Sequence, residues 1–154
     1  MKKVIYILIP VLTCFLVGLT ASHFQAESIK TWYPLLDKPA LTPPNIVFPI
    51  AWGIIYLCMG ISLGMILLNK SKEKAFLTKL FILQLFLNFI WSILFFYYQN
   101  PLLGFVDIIL LDIAVAWYTI RSYPVNKTSS LLFLPYLFWL CFASYLNGYI
   151  LINN

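Results

Sequence analysis

Phe48-Pro49-Ile50-Ala51-Trp52-Gly53-Ile54-Ile55-Tyr56-Leu57-Cys58-Met59-Gly60-Ile61-Ser62-Leu63-Gly64-Met65-Ile66-Leu67-Leu68 runs without one charged side chain. A helix of that length rises about 30 Å, the thickness of a bilayer's hydrocarbon core. The stretch predicts a transmembrane helix, which with its first turn covers 45–68. Trp52 and Tyr56 sit one turn apart on it. Gly60 and Gly64 carry the four-residue spacing that lets another backbone approach closely. Packing inside a bundle and packing across a dimer are both open readings of that pair.

Four more apolar runs lie on either side, at 4–22, 76–98, 102–120 and 130–152. Each exceeds the roughly 17 residues that a spanning helix needs. Pro10 falls inside the first and Pro135 in the first turns of the last. Lipid-buried helices tolerate such prolines when neighbours satisfy the freed carbonyl. The chain is 62% hydrophobic and 10% charged, too little polar surface to clothe a water-soluble core. The fold class is therefore an all-α membrane protein, a five-transmembrane-helix bundle, with residues 1–154 as a single domain.

The net charge of +5 does not point to nucleic acid, because the basic residues sit in short clusters between apolar runs. Lys2 and Lys3, then Lys70, Lys72, Lys74 and Lys79, then Arg121 and Lys127 all fall on one side of a five-span alternation. Lys30 and Lys38, offset by Glu27 and Asp37, fall on the other. The positive-inside rule then places the N-terminus in the cytoplasm and the C-terminus outside. Met1-Lys2-Lys3 and the apolar run ending at Thr20-Ala21-Ser22 resemble a secretory signal, but Val4 to Ala21 is long enough to span and reads as a retained first helix. Short loops and a Met-Lys-Lys start fit a bacterial cytoplasmic membrane.

The connection at 23–44 is the long one, and it carries Trp32-Tyr33, Lys38-Pro39 and Thr42-Pro43-Pro44. Two readings stand side by side: an ordered lid over one mouth of the bundle, or a plain connector whose aromatics rest on headgroups. Cys14, Cys58 and Cys141 lie in apolar runs without metal-ligand spacing and read as small buried hydrophobes.

Polar and aromatic residues fall into stripes. Gln84, Asn88, Trp91, Ser92 and Phe95 share one face of the third helix, and Tyr136, Trp139, Ala143 and Asn147 one face of the fifth. Amides in hydrocarbon cost several kcal/mol unpaired, so these faces turn inward. Trp52, Trp91 and Trp139 lie roughly 10 Å or more below the outer helix ends, too deep for a headgroup belt. They suggest an aromatic-walled cavity opening outward, with indole N–H groups held by Gln84 or Asn88. Large-residue packing with amides as interhelical glue is the competing reading. Asp107 and Asp112, the acids within a span, read as hydrogen-bonded staples before proton relays, with tyrosines as candidate donors to Asp107. No nucleophile–base pair, phosphate loop or metal cluster stands in the sequence.

Trp32-Tyr33, Lys38-Pro39, Pro43-Pro44, Phe48 to Tyr56, Leu87 to Ser92 with Phe95-Phe96, Val106-Asp107, and Pro135 to Asn147 occur in order along nearly the whole chain. Together they resemble the TspO/MBR family, the tryptophan-rich sensory proteins that include the translocator protein or peripheral benzodiazepine receptor. The resemblance implies five tightly packed helices, often dimeric, and a ligand cavity closed by the first loop. It implies ligands such as protoporphyrin IX, haem and isoquinoline carboxamide or benzodiazepine compounds. No obligatory cofactor is implied, the porphyrin being ligand or substrate. Carried over by residue, the walls are Trp52, Tyr56, Asn88, Trp91, Asp107, Trp139 and Ala143, and the lid holds Trp32, Pro43 and Pro44. The leading expectation is a ligand-binding membrane protein in tetrapyrrole or stress regulation. The alternatives are light- and oxygen-dependent degradation of protoporphyrin IX, with Trp52 and Trp139 catalytic, and transport of tetrapyrroles or other lipophiles. Asn147-Gly148-Tyr149 lacks the basic residue that ends the cholesterol motif of animal members, so sterol import is not inferred.

Overall fold

The computed structural model describes residues 2–154, with side chains from Lys3 onward. Its regular structure is all helical among the described residues, and five of the spans there are long and apolar enough to cross a membrane. α1 is Lys2–Thr31, α2 Val47–Leu68, α3 Lys74–Ser92, α4 Pro101–Ser122, α5 Lys127–Leu131 and α6 Leu134–Asn153. α5 and α6 together make the fifth span. α1 packs chiefly on α2, α3 on α4, and α4 on α6.

Three boundaries differ from the sequence expectation. α1 does not stop at residue 22 but continues through Thr31, so the connection is 32–46 rather than 23–44. Ser22 to Thr31 contains no glycine or proline, and its Ala, Gln, Glu and Lys are good helix formers. At 30 residues α1 reaches about 45 Å, well beyond the hydrocarbon thickness. The last span breaks at Leu132–Phe133, with Pro135 in the first turn of α6. Asn126 caps the short α5 by accepting from the Ser129 N–H at 3.0 Å.

The third departure is at the end of α3, which widens into a π turn over Ile93–Tyr97. The Tyr98 N–H reaches the Ile93 carbonyl at 2.9 Å, five residues back. The extra residue turns both Phe95 and Phe96 inward, leaving them 2% and 8% exposed. Gln99, at φ 51°, then reverses the chain. Asn100 caps α4 by accepting from Leu103 N–H, with Pro101 at its first position.

Small residues set how closely helices approach. A Cβ on Gly64 would lie 2.8 Å from the Ile7 Cα, and one on Gly60 would strike the Val11 backbone. The two glycines thus seat α2 against α1 within this chain, the intrabundle reading of the pair. At the lysine-rich end, Ser62, Ser129 and Tyr118 tie α2, α5 and α4 through bonds of 2.7 to 3.2 Å. Phe133 packs on Tyr118 at 4.1 Å between ring centroids. Cys14 is buried, whereas Cys58 is half-buried and Cys141 faces outward, so the three are not uniformly core residues.

Candidate ligand-binding site

A cavity of about 550 Å³ lies in the half of the bundle near the 32–46 connection. α1, α2, α3, α4 and α6 all contribute walls. Trp52, Trp91 and Trp139 face it together, joined by Tyr56, Asn88 and Ala143. Six of the seven wall residues expected from sequence are thus brought to one space. The seventh is not. Asp107 lies on α4 away from the cavity, 5% exposed, and its Oδ2 has no hydrogen-bond partner among the described residues. The cavity takes Ile108 and Leu111 from α4 instead. Asp112 is a staple, accepting from Ser144 Oγ on α6 at 2.6 Å.

The tryptophans are held from behind. Trp52 stacks on Tyr56, one turn away, with centroids 5.4 Å apart and planes at 27°. It also meets Tyr136 edge-on at 5.9 Å. Both phenols converge on one amide: Tyr56 OH donates to Asn88 Oδ1 at 3.3 Å, and Asn88 Nδ2 donates to Tyr136 OH at 3.0 Å. Asn88 therefore links α2, α3 and α6 at the base of the cavity. Trp91 stacks on Phe95 at 5.2 Å and 9°. Its N–H goes to Asn147 Oδ1 at 3.1 Å, not to Gln84 or Asn88 as the spacing suggested. Asn147 also donates to the Pro101 carbonyl, which bridges α6 to the start of α4. Gln84 sits one turn further from the loop end, fully buried, and does not line the cavity. Trp139 rests edge-on against Phe48 at 5.8 Å.

The lid residues divide. Trp32 packs on Phe95 at 5.5 Å and supports the cavity from outside. Pro43 and Pro44 do not line it. Tyr33 does, resting on Phe96 at 5.7 Å, and burial pushes its phenol above the ordinary tyrosine range. Tyr33 thus presents a neutral hydroxyl. The connection is also tied down. The Asp37 N–H donates to Asn154 Oδ1 at 2.8 Å, and Asn154 Nδ2 returns a bond to the Asp37 carbonyl at 3.1 Å. Lys38 Nζ donates to the carbonyls of Tyr33 and Leu36 at 2.7 and 3.0 Å.

Several lining residues escaped the sequence reading, above all Gly18, Ser22, Gln25 and Ile29. They follow spacings of three and four and share one face of α1, a signal lost once residue 22 is taken as the helix end. Gln25 Nε2 donates to Ser92 Oγ at 2.7 Å, and Ser28 Oγ donates to the carbonyl of Phe96, within the π turn, at 2.5 Å. These bonds pin the end of α1 to α3 beside the cavity.

The lining is mostly aromatic and aliphatic, with a few amides and hydroxyls at fixed places. That is the usual make-up of a small-molecule pocket, and the volume falls in the range of roughly 300–1,000 Å³ typical of them.

Comparison with known proteins gives a consistent result. The family model described as the TspO/MBR family matches residues 10–152. A tryptophan-rich protein TspO of Archaeoglobus fulgidus is 46% identical over 144 residues, 94% of each chain. The protein of that name from Chlorobaculum tepidum is 39% identical, covering 99% of this chain and 98% of its own. The Homo sapiens translocator protein is 35% identical over 92% of this chain and 83% of its own.

Proposed function

The chain belongs to the TspO/MBR family, and on that premise we propose that it binds flat, apolar ligands of the porphyrin class in the aromatic cavity. The observation that carries this reading is the meeting of Trp52, Trp91 and Trp139, from three helices, around one space. Indole faces offer broad π-surfaces at low entropic cost, and a macrocycle gains from stacking on them. Tyr33 and Gln25 supply a hydroxyl and an amide at the loop end, suited to the polar edge of such a ligand. In this reading the lysine-rich end faces the cytoplasm and the loop end faces outside, which the charge asymmetry supports. Binding serves tetrapyrrole sensing or stress regulation.

The test is quenching of intrinsic tryptophan fluorescence by protoporphyrin IX in detergent or liposomes. Saturable quenching is expected for the native chain. The Trp52→Phe, Trp139→Phe double variant should weaken binding by about tenfold or more, equivalent to two stacking contacts at about 0.5–1.5 kcal/mol each. Unchanged affinity in a folded double variant refutes the assignment.

A further inference from the structure

The α1–α2 seam changes character along its length. Near the lysine-rich end Gly64 and Gly60 bring α2 against the backbone of Ile7 and Val11, and one step further Gly18 lies against the Tyr56 ring. Towards the loop end the next glycine of α2 is open: a Cβ on Gly53 would have no other element within 4 Å among the described residues. Gly53 nevertheless lines the cavity. So do Leu19 and Ser22 of α1 and Pro49 of α2, all three exposed. Pro49 and Gly53 are one turn apart and look along one face, as do Leu19 and Ser22. The helices are therefore in backbone contact in one half and parted in the other, and the parting leads into the cavity.

The other approaches carry more cover, although Asn45 of the connection also lines the cavity at the loop end. Tyr33 and Ile29 roof the cavity at the loop end, and the connection beyond is held by the paired Asp37–Asn154 bonds and by Lys38. On the far side of α2, Phe48 and Trp139 meet edge-on.

We propose that the slot between the loop-end halves of α1 and α2, bordered by Gly53, is the entrance to the cavity, and that it admits ligands already dissolved in the bilayer. This rests on the cavity being the ligand site. A flat apolar molecule partitions into hydrocarbon, so a lateral entrance meets it at its highest local concentration. Entry from the water side would have to pass the Tyr33 ring and a connection that the Asp37–Asn154 and Lys38 bonds hold in place. Gly53 thereby becomes a size-determining residue for what enters.

The route can be read without any porphyrin. In a chain whose three native cysteines are replaced by alanine, Ala143→Cys puts a thiol on the cavity wall. The protein is reconstituted in liposomes and treated either with bilayer-soluble N-(1-pyrenyl)maleimide or with a charged trimethylammonium methanethiosulfonate added to the water. The maleimide is expected to label the thiol and the charged reagent to lag well behind. Adding Gly53→Trp should slow the maleimide by about tenfold or more, and Gly53→Ala should change it little. Should Gly53→Trp fail to fold, Ser22→Trp narrows the slot from the α1 side and serves the same comparison. Equal maleimide rates with the slot narrowed, faster entry of the charged reagent, or labelling by neither would each overturn the proposal. A chain that passes this test yet shows no quenching by protoporphyrin IX keeps its entrance and loses only the porphyrin assignment.

Discussion

Replacing Asn88 with alanine should loosen the bundle and the ligand site together, because one amide supports both. Asn88 accepts from Tyr56 OH and donates to Tyr136 OH, and Tyr136 is fully buried. Side-chain hydrogen bonds between membrane helices average about 0.6 kcal/mol, and general values run to about 1.5. Two bonds, with the Tyr136 hydroxyl left unpaired in the interior, give a loss of about 2 kcal/mol. The assay is SDS-induced unfolding in mixed micelles, run as a double-mutant cycle with Tyr136→Phe. In the Tyr136→Phe background the Asn88→Ala cost should shrink, since one of its bonds is already gone. Trp52 rests on both phenols, so protoporphyrin IX affinity should also fall, by about fivefold or about 1 kcal/mol. If Asn88→Ala unfolds within about 0.3 kcal/mol of the native chain, or adds to Tyr136→Phe without coupling, Asn88 is not the keystone that its geometry indicates.

Gly64→Leu forces a side chain into the Ile7 backbone and should cost about 3 kcal/mol or prevent assembly, read as lost monodispersity or a lower SDS midpoint. Gly53→Ala, at the open end of the same helix, should fall within about 0.5 kcal/mol of the native chain by the same measurement. Ser144→Ala removes the donor to Asp112 and should destabilise by about 1–2 kcal/mol; adding Asp112→Ala should recover part of that, and no recovery would exclude the staple.

The spans and their inward faces were legible because hydrocarbon imposes two severe rules: enough apolar length to cross, and no amide left facing lipid. Asn88, Trp91, Trp139 and Ala143 could be grouped from those rules alone. The choice of partner could not. Gln84, Asn88 and Asn147 are all amides on inward faces, and only the relative rotation of α3 and α6 decides that Asn147 reaches the Trp91 indole. Asp107 illustrates the same limit: its depth was readable, but its facing depends on how α4 sits between α3 and α6. The end of α1 was misplaced for another reason. Hydropathy falls at Ser22, but helix formation continues because nothing after it breaks the backbone until Pro34. The cavity wall contributed by Gln25 and Ile29 went unseen with it.

The wide turn at Ile93–Tyr97 has a consequence for how such a chain can vary. It holds one residue more than an ordinary helical path, and that residue lets two adjacent phenylalanines point the same way. Losing a single codon there would relax the backbone to its regular winding and swing one ring towards the lipid. Trp91, Trp32 and Tyr33 all lean on that pair. A shortening at this point would therefore unseat a wall and the ceiling of the cavity at once, while a point substitution at either ring would disturb only its own neighbours.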